Sequence, residues 1–329
     1  MERKTVNEGV LDLTRTTPAA VLARYAGRRR LYPQSVMRAT NPDLDHRYIR
    51  RKWLNVPYAQ GCPRALMDIY LPNDGEGPFP VILFAHGGGY FTGRKDDYET
   101  YPPLEGLKRG YAVCAIDYTL SGEALFPRPL QEAKAAVRFI RANAARYRLD
   151  PSCLIAWGMS AGANLAALLA LTGDGRYPEL DDPAMGWADQ PSHVDACMIW
   201  FCPTTFAMVE AQLAQSGLQS AMITRGDDYV LAWELGLPVE DAPDLAALVN
   251  PETYITPQAP PFVIQHGRQD VIVPWQQGER LASRLRAAIG EERVRWTLFE
   301  DYDHADRRFE TMHNCSLVLD QLEALLGRG

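Results

Sequence analysis

No apolar run in the sequence approaches the roughly 18 residues that a membrane-crossing helix needs. The opening stretch, Met1-Glu2-Arg3-Lys4-Thr5-Val6-Asn7-Glu8, lacks the apolar centre of a secretory signal. Cysteine occurs at Cys62, Cys114, Cys153, Cys197, Cys202 and Cys315, with no Cys-x-x-Cys pair. That spacing supports neither a zinc site nor a disulfide framework, and buried, reduced thiols are expected. Histidine is scarce and scattered, so clustered ligands for a metal hydrolase are missing. Basic charge does not prevail: 34 Lys and Arg against 41 Asp and Glu leave a net charge of −7. A nucleic-acid or anionic-membrane surface is therefore excluded as the main partner. There is no internal repeat, no low-complexity tract, and no Gly-x-Gly-x-x-Gly of a dinucleotide site. What remains is a 329-residue chain, 47% apolar and 23% charged, of ordinary globular make-up. A soluble, cytoplasmic protein with neither a metal site nor a dinucleotide cofactor is the expectation.

From Trp53 onward, strand-like and helix-like stretches alternate. Val81–Ala85, Ala112–Ile116, Leu154–Trp157, Ala196–Phe201, Phe262–Gln265 and Val294–Phe299 are short apolar runs, the first five of them bounded by Gly, Pro or Asp. They are too short for helices and read as buried parallel strands. Between them, Leu130–Tyr147 repeats apolar residues at helical period, with Pro129 in the first turn. Leu165–Leu171, Gln276–Ile289 and Ala305–Leu326 behave likewise, and a helix starts near Pro18. Such alternation predicts an α/β fold with a mostly parallel, doubly wound sheet. The segment Pro203–Pro257 interrupts the rhythm and reads as a lid-like insertion. Residues 1–48, polar and basic, read as an N-terminal extension before a catalytic domain at 49–329. That extension is expected to join the cap or, equally, to serve a homodimer contact.

Gly158-Met159-Ser160-Ala161-Gly162 is a Gly-x-Ser-x-Gly pentad placed between a strand and a small-residue helix. So tight a turn strains the backbone at serine, raises its hydroxyl above the sheet, and puts the Ala161 amide at a helix start. Upstream, His86-Gly87-Gly88-Gly89-Tyr90 follows another strand. Bare glycine amides can approach a developing oxyanion, so Gly87, Gly88 and Ala161 are the expected donors. A serine nucleophile needs a base. Where it stands on such an elbow, an acid and then a histidine follow it along the chain. Of the late histidines, His266 reads as turn support and His313 as a structural residue inside the last helix. His304, after the strand Val294–Phe299 and at the head of that helix, is the expected base. Asp270, in the loop after Phe262–Gln265, is the expected acid that orients it. Asp301, Asp303 and Asp306 are sequence neighbours of the histidine and read as loop or helix-start charges.

On these motifs the chain resembles the α/β-hydrolase superfamily, in the esterase/lipase branch with His-Gly-Gly-Gly and Gly-x-Ser-Ala-Gly. More narrowly it resembles bacterial carboxylesterases of the feruloyl and acetyl esterase type, which are related to kynurenine formamidases. The likeness covers roughly residues 50–325; Ala163 stands where relatives commonly carry Gly. The resemblance implies a carboxylic ester hydrolase in which Ser160 attacks the carbonyl, His304 is general base and Asp270 orients it. An acyl-enzyme would form from a small-molecule ester and be released by water, with no cofactor needed. Tyr90, Phe91, Trp157, Phe201, Phe206, Tyr229 and Trp233 would supply an aromatic wall for the acyl group, with ordinary core and lid packing as the alternative. A formamidase acting on a small formyl-amide, or a non-catalytic binding protein of this fold, are the alternative functions.

Overall fold

Short apolar runs bounded by turn residues form the strands of one eight-stranded sheet. The structure, a computed structural model, describes residues 9–32 and 41–328. The strands are β1 (Lys52–Pro57), β2 (Leu66–Tyr70), β3 (Phe79–Ala85), β4 (Ala112–Ile116), β5 (Leu149–Met159), β6 (Ala196–Trp200), β7 (Phe262–Gly267) and β8 (Val294–Phe299). Their order is β1-β2-β4-β3-β5-β6-β7-β8. From β4 to β8 every pairing is parallel, whereas β2 pairs antiparallel with both β1 and β4. The expected mostly parallel sheet is thus present, with an antiparallel edge that the sequence did not announce. β1 is an edge strand whose side chains are mostly exposed, so it has no buried apolar run to betray it.

Side chains of β5 alternate between the sheet's faces. Leu154 and Ala156 face the helices Arg128–Ala142, Ala161–Thr172 and Trp275–Ile289. Ile155, Trp157 and Met159 face the helix Met312–Leu325. Two expected helices differ in extent. Leu130–Tyr147 is broken at Asn143, whose Nδ2 donates to Phe139 O at 3.0 Å and competes with the helical ladder. The last helix begins at Met312, where Thr311 caps it, and not at Ala305. His304 therefore stands in a loop.

Above the carboxyl ends of the strands lies the segment 203–257, carrying the helices Val209–Gln215, Val230–Leu235 and Pro243–Leu248. The N-terminal segment is laced across it. The helix Pro18–Tyr25 packs on Pro243–Leu248, and Arg24 pairs with Asp244. Arg29 Nε donates to Leu235 O at 2.7 Å while its other arm bonds the Phe126 carbonyl. Tyr32 Oη donates to Asp227 Oδ1 at 2.7 Å, and Asn250 Nδ2 to Gly9 O at 2.8 Å. Residues 1–8 and 33–40 of the expected extension lie outside the described residues.

Candidate active site

The turn after β5 is as tight as the pentad requires. Ser160 has φ 52° and ψ −120°, a left-handed φ that L-residues adopt at a cost of about 1–3 kcal/mol. Its N–H donates to Trp200 O at 3.1 Å, which helps hold that conformation. Both flanking glycines are sterically required. A Cβ at Gly158 would stand 2.1 Å from Gly162 O, and one at Gly162 would stand 2.1 Å from Ala85 O. Ser160 is not alone in its strain: Tyr90, Phe201 and Ala305 also have positive φ, and all four line one cavity.

His304, in the loop after β8, places Nε2 3.0 Å from Ser160 Oγ and Nδ1 2.8 Å from Asp270 Oδ2. A carboxylate can only accept, so Nδ1 carries the proton and Nε2 offers its lone pair to the serine hydroxyl. Asp270 is buried in the loop after β7, and its Oδ1 accepts the amides of Ile272 (2.9 Å) and Val273 (2.7 Å). Burial alone would push its carboxyl up. The His304 charge and hydrogen bonds from His266 and His304 outweigh that and hold it well below the usual carboxylate range. For His304, burial lowers the value, and the charge and hydrogen bond of Asp270 raise it above the ordinary imidazole value. Asp303 is exposed and accepts the backbone amides of Val271 and His304, so it shapes the loop. Asp306 caps the turn Arg307–Glu310, and His313 is exposed on the last helix.

The glycine loop after β3 corrects one expectation. The Gly87 N–H donates to Glu99 Oε2 at 2.6 Å, and Gly87 does not line the cavity, so this amide is taken. Gly87 O is within 2.7 Å of His86 Nδ1, and Gly88 O accepts the amides of Phe91 and Thr92, each at 3.1 Å. In a trans peptide the N–H points opposite to the carbonyl. Fixing the Gly87 and Gly88 carbonyls thus directs the Gly88 and Gly89 amides to the other side. Neither amide has an acceptor among the described residues, and both residues line the cavity with Ser160. Glycine is required at Gly88: φ is 100°, and a Cβ would meet Thr92 O at 2.3 Å. Ala161 heads the helix Ala161–Thr172 at the cavity wall, where the helix dipole favours negative charge. His86 is fully buried, and burial lowers it to about 4, which keeps it a neutral donor to Gly87 O.

The cavity measures about 260 Å³ and is walled chiefly by apolar groups. Tyr90, Phe91, Phe201, Phe206 and Tyr229 line it as expected of an acyl wall. Two aromatics do not. Trp157 is fully buried inside β5, edge-on to Trp200 with ring centroids 5.3 Å apart. Trp233 is half-buried, donates through Nε1 to Asp227 O, and meets the cavity only by stacking edge-on against Phe91 at 5.2 Å. Sequence reasoning passed over Glu99, which carries no motif. His266, read as turn support, does bridge the turn, with Nε2 2.9 Å from Val273 O; the same nitrogen is 3.2 Å from Asp270 Oδ2, a contact that the turn-support reading did not include. All six cysteines are free and buried, and among the described residues no cluster of three metal-ligating side chains occurs.

Strand order, the serine elbow after β5, and the loops after β7 and β8 that carry Asp270 and His304 define an α/β-hydrolase fold. The chain belongs to the BD-FAE family, whose model matches residues 67–285. It is 27% identical over 290 residues to esterase LipQ of Mycobacterium tuberculosis H37Rv, covering 86% of this chain and 65% of LipQ. A bifunctional GH43-CE protein of Bacteroides eggerthii superposes with a TM-score of 0.71 at 28% identity, over 83% of this chain and 38% of that one. A truncated carbohydrate esterase from gut microbiota shares the fold, with a TM-score of 0.73 at 24% identity over 86% of this chain and 99% of its own. The chain spans about half to two thirds (46–66%) of the length of the curated relatives it matches.

Proposed function

We propose that the chain is a serine hydrolase that cleaves carboxylic esters through an acyl-enzyme. The observation that carries this reading is the relay from Ser160 Oγ to His304 Nε2 (3.0 Å) and from Nδ1 to Asp270 (2.8 Å). Ser160 Oγ attacks the ester carbonyl as Nε2 takes its proton. Asp270 keeps the tautomer and stabilises the imidazolium. The amides of Gly88, Gly89 and Ala161 receive the oxyanion, and His304 returns the proton to the departing alcohol. Water, activated by the same nitrogen, then releases the acid. The segment 203–257 shapes the acyl side of the pocket, whose apolar lining supports an uncharged, apolar acyl group. The name of LipQ supports the reaction class. Six unpaired thiols suit a reducing compartment such as the cytoplasm.

The test is hydrolysis of p-nitrophenyl esters of graded chain length, alongside methyl ferulate, acetylated xylan and N-formylkynurenine. Ester turnover that falls roughly 10⁴-fold or more in Ser160→Ala, with loss of fluorophosphonate labelling, is expected. Labelling that survives in that variant overturns the nucleophile. A kcat/KM for N-formylkynurenine above that for every ester moves the chain to the formamidases.

A further inference from the structure

Among the described residues lining the cavity, Glu99 is the only carboxylate. It belongs to no part of the relay above, yet it holds the backbone that leads to the oxyanion amides. The peptide unit joining His86 to Gly87 is pinned at both ends: Tyr118 Oη donates to His86 O at 2.8 Å, and the Gly87 N–H donates to Glu99 Oε2 at 2.6 Å. Glu99 is itself oriented, its own N–H donating to Asp97 Oδ1 at 3.0 Å. Its second oxygen, Oε1, has no hydrogen-bond partner among the described residues. Three consecutive glycines have little intrinsic preference for one path. A fixed acceptor for the first amide is what a loop of this composition needs in order to present the next two.

We propose that Glu99 is a positioning residue for the oxyanion hole: it anchors the Gly87 amide so that the Gly88 and Gly89 amides face Ser160, and its charge supports the His304 imidazolium. This rests on the reading of Ser160 as an ester-cleaving nucleophile. For the charge arm, Glu99 and His304 line the same largely apolar cavity beside Ser160. Burial, then the Asp97 carboxylate, push the Glu99 carboxyl up to about 7, against the opposing pull of the Gly87 N–H. Glu310 and His304 also face it, with Arg307 acting on Glu310 and the Tyr98 and Tyr118 hydroxyls close by. Glu99 is among the charges that raise His304. A loss of the negative charge at 99 therefore makes the imidazole a weaker base.

Steady-state hydrolysis of p-nitrophenyl butyrate from pH 5.5 to 9 by wild type, Glu99→Ala and Glu99→Gln tests this. Glu99→Ala should lower plateau kcat by about 10- to 100-fold with KM within about threefold, because an oxyanion hole acts in the transition state. Glu99→Gln keeps an oxygen for the Gly87 N–H and should recover most of that loss near pH 9, while its acid limb moves to lower pH. A plateau kcat for Glu99→Ala within threefold of wild type overturns the proposal. So does a Glu99→Gln enzyme as slow as Glu99→Ala, or one whose acid limb does not move. If Glu99→Ala does not fold, the Glu99→Gln limb decides alone. Wild-type protein without turnover or fluorophosphonate labelling refutes the esterase reading instead, which separates the two failures.

Discussion

His266 stands 3.2 Å from Asp270, its Nε2 close to the same oxygen that receives the His304 Nδ1–H at 2.8 Å. The His266 Nε2 is also 2.9 Å from Val273 O. Both neighbours only accept, so this nitrogen carries the proton and is shared between them. The acid thus collects four donors: two imidazoles and the amides of Ile272 and Val273. A buried carboxylate so satisfied stays ionised and stays put, which is what orientation of His304 demands.

Replacing the acid should therefore separate it from its neighbours. Asp270→Asn is expected to lower kcat/KM by roughly 10⁴-fold, because an amide at 270 can favour the wrong imidazole tautomer. Asp303→Asn, exposed and bound only to backbone amides, should stay within a few-fold. Side-by-side kinetics on one p-nitrophenyl ester check this. A crippled Asp303→Asn beside a near-normal Asp270→Asn would assign the acid to the other carboxylate.

The pH profile has a defined sign. Asp270 raises His304 above its ordinary value of 6.5, so the imidazole remains protonated, and on the proposed reading inactive as a base, to higher pH than a free imidazole. The acid limb of kcat/KM should fall above 6.5 in wild type. For Asp270 the linkage runs the other way. Its depressed carboxyl contributes stability that is complete above the unfolded value near 3.8 and is lost as pH falls toward the folded value. Acid titration of folding by circular dichroism should show that loss in wild type and less of it in Asp270→Asn.

Acyl selectivity should respond to the wall and not to the buried tryptophan. Phe206→Ala is expected to change the long-acyl to short-acyl ratio of kcat/KM by on the order of tenfold. Trp157→Phe should leave that ratio alone and lower stability by about 1–3 kcal/mol, the cost of a small core vacancy. Chain-length panels with urea unfolding of both variants measure the two effects. Equal shifts at every acyl length in Phe206→Ala would make residue 206 a stability element.

The legibility of this chain followed the physics of each part. Buried parallel strands and the serine elbow leave strong local marks: Leu154–Trp157 running into Gly158–Gly162 is enough to place Ser160 on a strand-to-helix turn. Asp270 and His304 stand in loops after strands, a placement legible in the sequence, and the topology brings them within hydrogen-bond reach of each other. Trp157 does not reach the cavity because it lies inside β5, three residues before Ser160, packed against Trp200; Phe201, in the same cluster but just past the end of β6, does. Gly87 was misplaced for a different reason. Which of three successive amides is free depends on partners such as Glu99, distant from any motif, and on carbonyl orientation within the loop. β1 stayed hidden because an exposed edge strand has no apolar signature.

The serine, the imidazole, its acid and the glycine amides all ride on ends of sheet strands, whereas much of the cavity wall comes from 203–257, tied down by Arg29 and its neighbours. On the proposed reading, the reacting groups and a large part of the acyl wall thus come from different stretches of chain. Phe206, Val209 and Met222 line the space beside Ser160 from a stretch of chain that carries none of those groups. Divergence toward new acyl groups can proceed through the cap while the barrier-lowering groups remain under their own constraint, so this architecture is well suited to change its diet before it changes its reaction.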